Sequence, residues 1–126
     1  MGKTGQFELR KQAEKRGRHG EALAALLLCC KGYRILGRRV CTRAGEIDLV
    51  ARSPSGVVCF VEVKTRPQDG LAAEAVGLRQ RARIVRAAEL YLAGREAAKG
   101  VRFDVITVVP GRLPRHLRDA WGADAL

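Results

Sequence analysis

Residues 45–66 read GEIDLVARSPSGVVCFVEVKTR, a segment with the pattern of a β-hairpin whose two strands are largely apolar. The sequence SPSG at residues 53–56 predicts the turn between these strands. Three charged residues, Asp48, Glu62 and Lys64, interrupt the apolar runs. Because an unpaired charge is costly to bury, the three residues require either pairing or a function.

Pairing the two strands around a turn centred on Ser55 places Asp48 opposite Glu62 and Glu46 opposite Lys64. Residues directly opposite each other have Cβ atoms about 4.5–5.5 Å apart, so like charges there destabilise a sheet. Two facing carboxylates need a shared proton or a cation between them. We therefore expect a site at Asp48 and Glu62. Glu46 either extends that site or, more simply, forms a cross-strand salt bridge with Lys64.

A solvent-exposed strand would also contain a Glu-x-Lys pattern, and this alternative predicts polar residues along the whole face. Val58 and Phe60, however, share a face with Glu62 and Lys64, because side chains alternate along a strand. Both faces are thus apolar until Glu62. The strand is predicted to be central in its sheet, with charges at its end.

The charged residues of the hairpin suit the hydrolysis of a phosphodiester bond. Asp48 and Glu62 supply hard oxygen ligands for Mg²⁺, and the backbone carbonyl of Val63 is a further candidate ligand. Such an ion neutralises charge on the phosphate and lowers the pKa of a bound water. Lys64 could orient the attacking water, accept its proton or stabilise the transition state, and the sequence leaves these three roles open.

The chain is strongly basic, with 24 Lys and Arg residues against 13 Asp and Glu and a net charge of +11. This balance favours nucleic acid as a partner, although a basic, well-solvated surface would give the same composition. Arg79, Arg83 and Arg86 recur along one side of a predicted helix without an acidic residue between them. We expect these three and Arg66 to contact the phosphate backbone.

A length of 126 residues fits one domain, predicted over residues 19–126 after a basic, mobile arm at residues 1–18. The pattern predicts an α/β fold, a central mixed β-sheet flanked by helices, because a helix connects the third and fourth strands. The predicted elements are a helix at 19–31 ending at Gly32, a strand at 33–42 bulged at Gly37, strands opening at Gly45 and at 57–65, a helix at 74–94 ending at Gly94 or Gly100, a strand at 101–109, and a short C-terminal helix that docks Leu117 and Trp121.

The sequence contains no apolar run of the roughly 18 residues that a membrane span needs, and no signal peptide is recognisable. The four cysteines form no CxxC pair and are predicted to be small buried hydrophobic residues in a reducing compartment, hence a cytoplasmic location. They are Cys29, Cys30, Cys41 and Cys59.

Four other residues attract attention without indicating chemistry. His19 and His116 have no partner at a spacing typical of metal or triad sites and are predicted to lie on the surface. Asp104, within an apolar strand, is expected to cap or to pair within the sheet edge and is not assigned a catalytic role. Trp121 is expected to anchor the core.

The motifs as a set resemble the YraN-like family of small bacterial proteins. The segments that carry the resemblance, from about Gly20 to Trp121, are HGEALAALLLCCKGYRIL, GEIDLV, FVEVKTR, RARIVRAAELYL and RFDVITV. Asp48 followed by Glu62, Val63 and Lys64 resembles the PD-(D/E)xK signature of restriction-endonuclease-like nucleases. The resemblance implies a restriction-endonuclease-like core and Mg²⁺ or Mn²⁺ as the cofactor. It also implies an endonuclease acting on DNA, with branched or damaged DNA as candidate substrates.

The pattern is also similar to archaeal Holliday-junction resolvases, in which a glutamate on the first helix joins the catalytic site. Glu21 matches that position, which implies a catalytic set of Glu21, Asp48, Glu62 and Lys64. Equally, Glu21 is a first-turn residue that complements the helix dipole. Relatives often carry a lysine in the second helix where this chain has Arg79-Gln80-Arg81. The alternatives are a non-catalytic nucleic-acid-binding module and a protein-interaction scaffold; cleavage of a two-fold symmetric junction would suit a homodimer.

Overall fold

The computed structural model describes residues 19–66 and 77–122, which form two helices and five strands. The predicted arm at residues 1–18 lies outside the described residues, as do residues 74–76 of the predicted second helix. In chain order the elements are α1 (19–30 within the described range), β1 (Arg34–Thr42), β2 (Gly45–Arg52), β3 (Val58–Thr65), α2 (Leu78–Leu92), β4 (Val101–Val108) and β5 (Arg115–Trp121).

The five strands form one sheet in the order β1-β2-β3-β4-β5. Strands β3 and β4 are parallel and are connected through α2, whereas the other neighbouring pairs are antiparallel. The predicted α/β fold with a central mixed sheet is therefore confirmed. A register shift between Ile35 and Gly37 also confirms the predicted bulge in β1.

Each helix covers one face of the sheet. On one face Ile84 and Val85 of α2 belong to the same buried cluster as Phe60, and on the other Leu28 of α1 clusters with Val61. Phe60 and Val61 are successive residues of β3, so this strand is buried on both sides. The charged residues at its end therefore emerge from the centre of the protein, as the sequence predicts.

Glycines end both helices. Gly32 follows α1 with φ of 86°, and the Tyr33 N–H donates to the Leu28 carbonyl at 2.9 Å, the arrangement of a glycine C-cap. Gly94, with φ of 78°, follows the last residues of α2. Within residues 19–66 and 77–122, neither helix has the length and apolar composition of a membrane span.

Helix α1 approaches the end of β3 very closely at Gly20. A Cβ atom at this position would lie 2.5 Å from Thr65 Oγ1 and 3.7 Å from Val63 Cγ1. Only glycine permits this approach without displacing a neighbour. The contact holds the residue that follows, Glu21, near the end of β3.

The predicted C-terminal helix is wrong, because this segment forms strand β5. Phe103 of β4 pairs with Trp121, and their rings stack with centroids 5.5 Å apart. The addition of β5 satisfies backbone groups that β4 would otherwise leave unpaired along its edge. Trp121 is buried and does anchor the core, as predicted, whereas Leu117 stays 36% exposed on the edge strand.

The prediction of four buried cysteines is wrong for three of them. Cys59 is buried in β3, but Cys29, Cys30 and Cys41 are exposed, and all four are free thiols. In α1 the buried side is set by positions four residues apart, such as Ala24 and Leu28, and the two cysteines that follow point away from it.

Asp104 is fully buried in β4 and joins several elements through its carboxylate. It accepts two hydrogen bonds of 2.8 Å from Arg102 and one of 3.0 Å from the Asp119 N–H. The His116 Nε2 atom lies 2.8 Å from Asp104 Oδ2. The His116 side chain is 3% exposed, so its predicted surface position is wrong: the carboxylate draws it inward. His19 is exposed, as predicted.

The donors around Asp104 determine its protonation. Burial alone would raise the pKa of this carboxyl, but the hydrogen bonds from His116, Arg102 and the Asp119 N–H hold it at about 2. The pKa is below the ordinary value of 3.8, so the ionised group stabilises the fold above about pH 4, and this stabilisation is lost as pH falls through about 2. Asp104 is thus a structural residue that pairs inside the sheet.

We predict that Asp104→Asn lowers the free energy of unfolding near neutral pH by about 3–5 kcal/mol, because it leaves buried donors without their charged partner. Urea unfolding checks this. The matched control is Asp119→Asn, which keeps the backbone N–H bond and suits the φ of 54° at that position; it should change stability by less than about 0.5 kcal/mol. Equal losses in the two variants would contradict the assignment.

Candidate functional site

The paired part of the hairpin ends at the predicted carboxylates. The β2–β3 register runs from Arg52 opposite Val58 to Leu49 opposite Val61, and one further step brings Asp48 opposite Glu62. The predicted register is therefore confirmed.

Beyond Leu49 and Val61, a side chain of β2 instead of a backbone carbonyl accepts the hydrogen bond from β3. Asp48 Oδ2 accepts a 2.8 Å hydrogen bond from the Val63 N–H, which fixes the carboxyl group against β3. Val63 was predicted to offer its carbonyl as a ligand; its amide has this separate role of orienting Asp48.

Asp48, which is half-buried, and Glu62, which is buried, form a pair of neighbouring carboxyl groups. Burial and the charge of Glu62 raise the pKa of Asp48 to about 7, against the partial opposition of the Val63 N–H. Burial also raises the pKa of Glu62, while Lys64 acts in the opposite direction. The two groups share a side-chain hydrogen bond, so a proton held by Asp48 relieves their repulsion.

Lys64 lies beside this pair and contacts it directly. Its Nζ is 3.3 Å from Glu62 Oε1 and donates to Gln80 Oε1 at 3.2 Å. The predicted salt bridge between Lys64 and Glu46 is wrong; the strands separate after Leu49, and Lys64 turns towards its neighbour on the same strand instead.

Gln80 is a site residue that sequence reasoning missed. Its Nε2 donates to Glu62 Oε1 at 2.7 Å, while its Oε1 accepts from Lys64, so one amide bridges the carboxylate and the ammonium. Of the common side chains, an amide has the donor and acceptor that this position needs. The available signal was an uncharged polar residue between Arg79 and Arg81 at the start of a helix.

Glu21 lies close to the pair but has its own partner. It is buried at 8% exposure, and Arg39 Nε donates to its Oε2 at 2.6 Å. Its charge contributes to raising the pKa of Asp48, so the two groups interact electrostatically. Arg39, also missed from the sequence, has a left-handed backbone with φ of 49°, a conformation uncommon outside glycine.

The possible metal ligands are therefore Asp48 and Glu62, with Val63 adjacent in β3. Among the described residues, no three acidic, histidine or cysteine side chains are grouped so that they could hold a metal ion. Glu21, held by Arg39, does not complete such a group. The donor set still fits Mg²⁺, which proteins often bind through only one or two carboxylates while water and phosphate occupy the other positions.

The predicted phosphate-contacting residues lie around this site. Arg79, Arg83 and Arg86 are exposed along α2, and the charge of Arg83 lowers the pKa of Glu62. Arg66 is exposed just after β3, where its N–H donates to the Val108 carbonyl at 2.9 Å. The helix thus presents basic side chains next to the carboxyl pair.

We predict that Asp48→Asn stabilises the protein above pH 7 when divalent ions are removed with a chelator. The pKa of Asp48 is raised from 3.8 to about 7, so its contribution to stability is present below about pH 4 and is lost as pH rises through 7. The neutral amide avoids this loss, which gives a gain on the order of 2 kcal/mol at pH 8. Urea unfolding across this pH range measures it.

The matched control is Glu46→Gln, which makes the corresponding acid-to-amide change at an exposed position on the same strand. A stability difference between Asp48→Asn and the native protein that is the same at pH 4 and pH 8 would contradict the raised pKa of Asp48.

The chain matches the model of an uncharacterised protein family, UPF0102, over residues 20–108. It is 46% identical to a UPF0102 protein of Agrobacterium fabrum over 123 residues, covering 96% of this chain and 100% of the relative. A UPF0102 protein of Maricaulis maris is 50% identical over 114 residues, 89% of each chain. One from Paramagnetospirillum magneticum is 49% identical over 118 residues, 89% of this chain and 91% of the relative.

Proposed function

The chain belongs to UPF0102, an uncharacterised protein family, and we propose that it is a metal-dependent nuclease that hydrolyses DNA phosphodiester bonds. We propose further that it is an endonuclease of the PD-(D/E)xK type, related to the YraN-like proteins, with branched or damaged DNA as its substrate. The observation that carries the proposal is the pair of the half-buried Asp48 and the buried Glu62 beside the Lys64 ammonium.

The carboxyl pair favours the binding of a divalent ion because the two carboxylates repel each other when no cation lies between them. Burial disfavours the ionised form of both groups, and the charge of Glu62 further raises the pKa of Asp48, so a cation between them would stabilise both carboxylates. Asp48 and Glu62 would hold Mg²⁺ or Mn²⁺, with the Val63 carbonyl as an additional ligand. The bound ion supplies positive charge that offsets the negative charge of the reacting phosphate.

The side chains around the pair have separable roles in this proposal. Among the described residues Lys64 contacts Glu62 and Gln80, and a third N–H of its ammonium would bond a phosphate oxygen. Both contacts place the Lys64 ammonium beside Glu62, and in this proposal it stabilises the charge that develops on the phosphate. Gln80 holds the Lys64 ammonium and the Glu62 carboxylate in position relative to each other.

Glu21 is a positioning residue in this proposal rather than a ligand. Its charge acts on Asp48, while its hydrogen bond to Arg39 anchors it to β1. The resemblance to the resolvases implies a catalytic role for Glu21 instead, and the bond to Arg39 engages one of its two carboxylate oxygens. The arginines of α2 would hold the DNA backbone without reading its sequence.

We predict that the purified protein cleaves labelled branched, nicked or single-stranded DNA when Mg²⁺ or Mn²⁺ is present, and that a chelator abolishes cleavage. Asp48→Asn and Lys64→Met should each reduce the rate by on the order of 100-fold or more, since each removes charge needed in the transition state. Gel electrophoresis of the products measures the rates.

Glu46→Gln is the control for these variants, because it changes an exposed acid two residues from Asp48. Cleavage that survives both Asp48→Asn and Lys64→Met would assign the activity to a contaminant. Salt-dependent binding without cleavage would favour the alternative, a non-catalytic DNA-binding module of the same fold.

We predict that Gln80→Leu reduces cleavage by on the order of 10- to 100-fold, because Glu62 and Lys64 lose the amide that positions them. Gln80→Glu should be equally slow near neutral pH, where it adds a carboxylate next to Glu62, and its deficit relative to the native protein should narrow as the pH is lowered and the added carboxyl is protonated. A pH–rate profile of the two variants distinguishes positioning from a merely structural role, for which both profiles would match the native protein.

A further inference from the structure

A basic cleft lies beside the carboxyl site, between the β1–β2 turn at residues 42–45 and helix α2. Its volume is about 680 Å³. The residues that line it are Arg43, Ala44, Ala82, Arg83, Arg86 and Leu90.

The turn that forms one wall of the cleft is held by local hydrogen bonds. Thr42 Oγ1 accepts from the Ala44 and Gly45 N–H groups, both at 3.2 Å, and donates to the Gly45 carbonyl at 2.7 Å. Gly45 has φ of 140°, and a Cβ there would lie 3.0 Å from Arg83 Cδ. The glycine therefore lets the Arg83 stem pack against the turn, which fixes that side chain at the mouth of the cleft.

Among the described residues, the cleft is lined by three guanidinium groups and by no carboxylate. Within residues 19–66 and 77–122, no ion pair joins Arg43 or Arg86 to an acidic side chain. Glu46 and Glu89 are exposed neighbours in the sequence, but neither lines the cleft. Uncompensated arginines around a concave surface suit a ligand with several negative charges, and their planar donors match phosphate oxygens.

The position of the cleft relates it to the carboxyl site. Gln80 contacts Glu62, and Arg83 and Arg86 follow on the same helix at one and nearly two turns. With a rise of roughly 1.5 Å per residue, Arg86 lies about 9 Å along the axis from Gln80. Successive phosphates of one DNA strand advance by roughly 3.4 Å along a duplex axis, so this distance corresponds to two or three nucleotides.

We infer that this cleft holds the DNA strand that continues from the phosphodiester at the carboxyl site, and that Arg43, which lines the cleft together with Arg86, contacts a phosphate of that strand. The strand passes between the β1–β2 turn and α2, so Arg43 joins Arg83 and Arg86 as a backbone contact. This inference rests on the proposed function for the direction of the strand, while the presence of a DNA contact in the cleft can be tested independently of cleavage.

The experiment measures binding of a fluorescent 20-nucleotide DNA, single-stranded and duplex, by anisotropy at several salt concentrations with a chelator present. Arg43→Ala and Arg86→Ala should each weaken binding by roughly three- to tenfold and flatten the plot of log affinity against log salt by about one. Arg43→Lys, which keeps the charge, should retain the native slope. Arg118→Ala is the matched control, because Arg118 is an exposed arginine on β5 at the opposite edge of the sheet.

Loss of affinity and slope in Arg43→Ala and Arg86→Ala, with little change in Arg118→Ala, supports the cleft. An equal effect of all three substitutions, or no DNA binding by the native protein, overturns it. The cleavage assay with Mg²⁺ tests the nuclease separately: absent cleavage together with the expected binding pattern removes the enzymatic role and keeps the cleft as a DNA contact.

Discussion

The hydrogen bond from the Val63 N–H to Asp48 determines how the central hairpin ends. Regular pairing of β2 and β3 stops at Leu49 and Val61, and beyond that point a side chain rather than a backbone carbonyl receives the amide of β3. The carboxyl group is thereby held beside Glu62 although the two repel each other when ionised. The arrangement of Lys64 and Gln80 follows, because both contact the glutamate that faces Asp48.

Two carboxyl systems on the same sheet, one around Asp104 and one around Asp48, have pKa values shifted in opposite directions. Asp104 is surrounded by Arg102, His116 and a backbone donor, and its pKa is held at about 2 despite burial. Asp48 has one backbone donor and two acidic neighbours, and its pKa rises to about 7. The first system stabilises the fold as it stands. The second is destabilised by its own charges, a property common at sites that bind cations or exchange protons.

The sequence predicted the hairpin register correctly because side-chain alternation and a single turn leave few ways to pair two short apolar strands. It predicted the placement of Asp48 and Glu62 for the same reason. Gln80 and Arg39 were missed because each bonds a glutamate 18 residues away in the chain, Glu62 and Glu21 respectively. Local periodicity does not encode a tertiary hydrogen bond. The strand β5 was missed because an edge strand with exposed polar residues lacks strong alternation, and its pairing depends on an open neighbour.

Because residue 20 is a glycine, Glu21, the acidic residue that follows it, can lie close to the sheet. A methyl group there would lie 2.5 Å from the hydroxyl oxygen of Thr65, and relieving this contact at the helix would move the start of α1 away from the sheet. Glu21 would then move outward with the backbone, and the field it exerts on Asp48 would weaken with distance. An uncharged residue without a side chain thus sets the strength of an interaction between two acids, by controlling how near one of them can come.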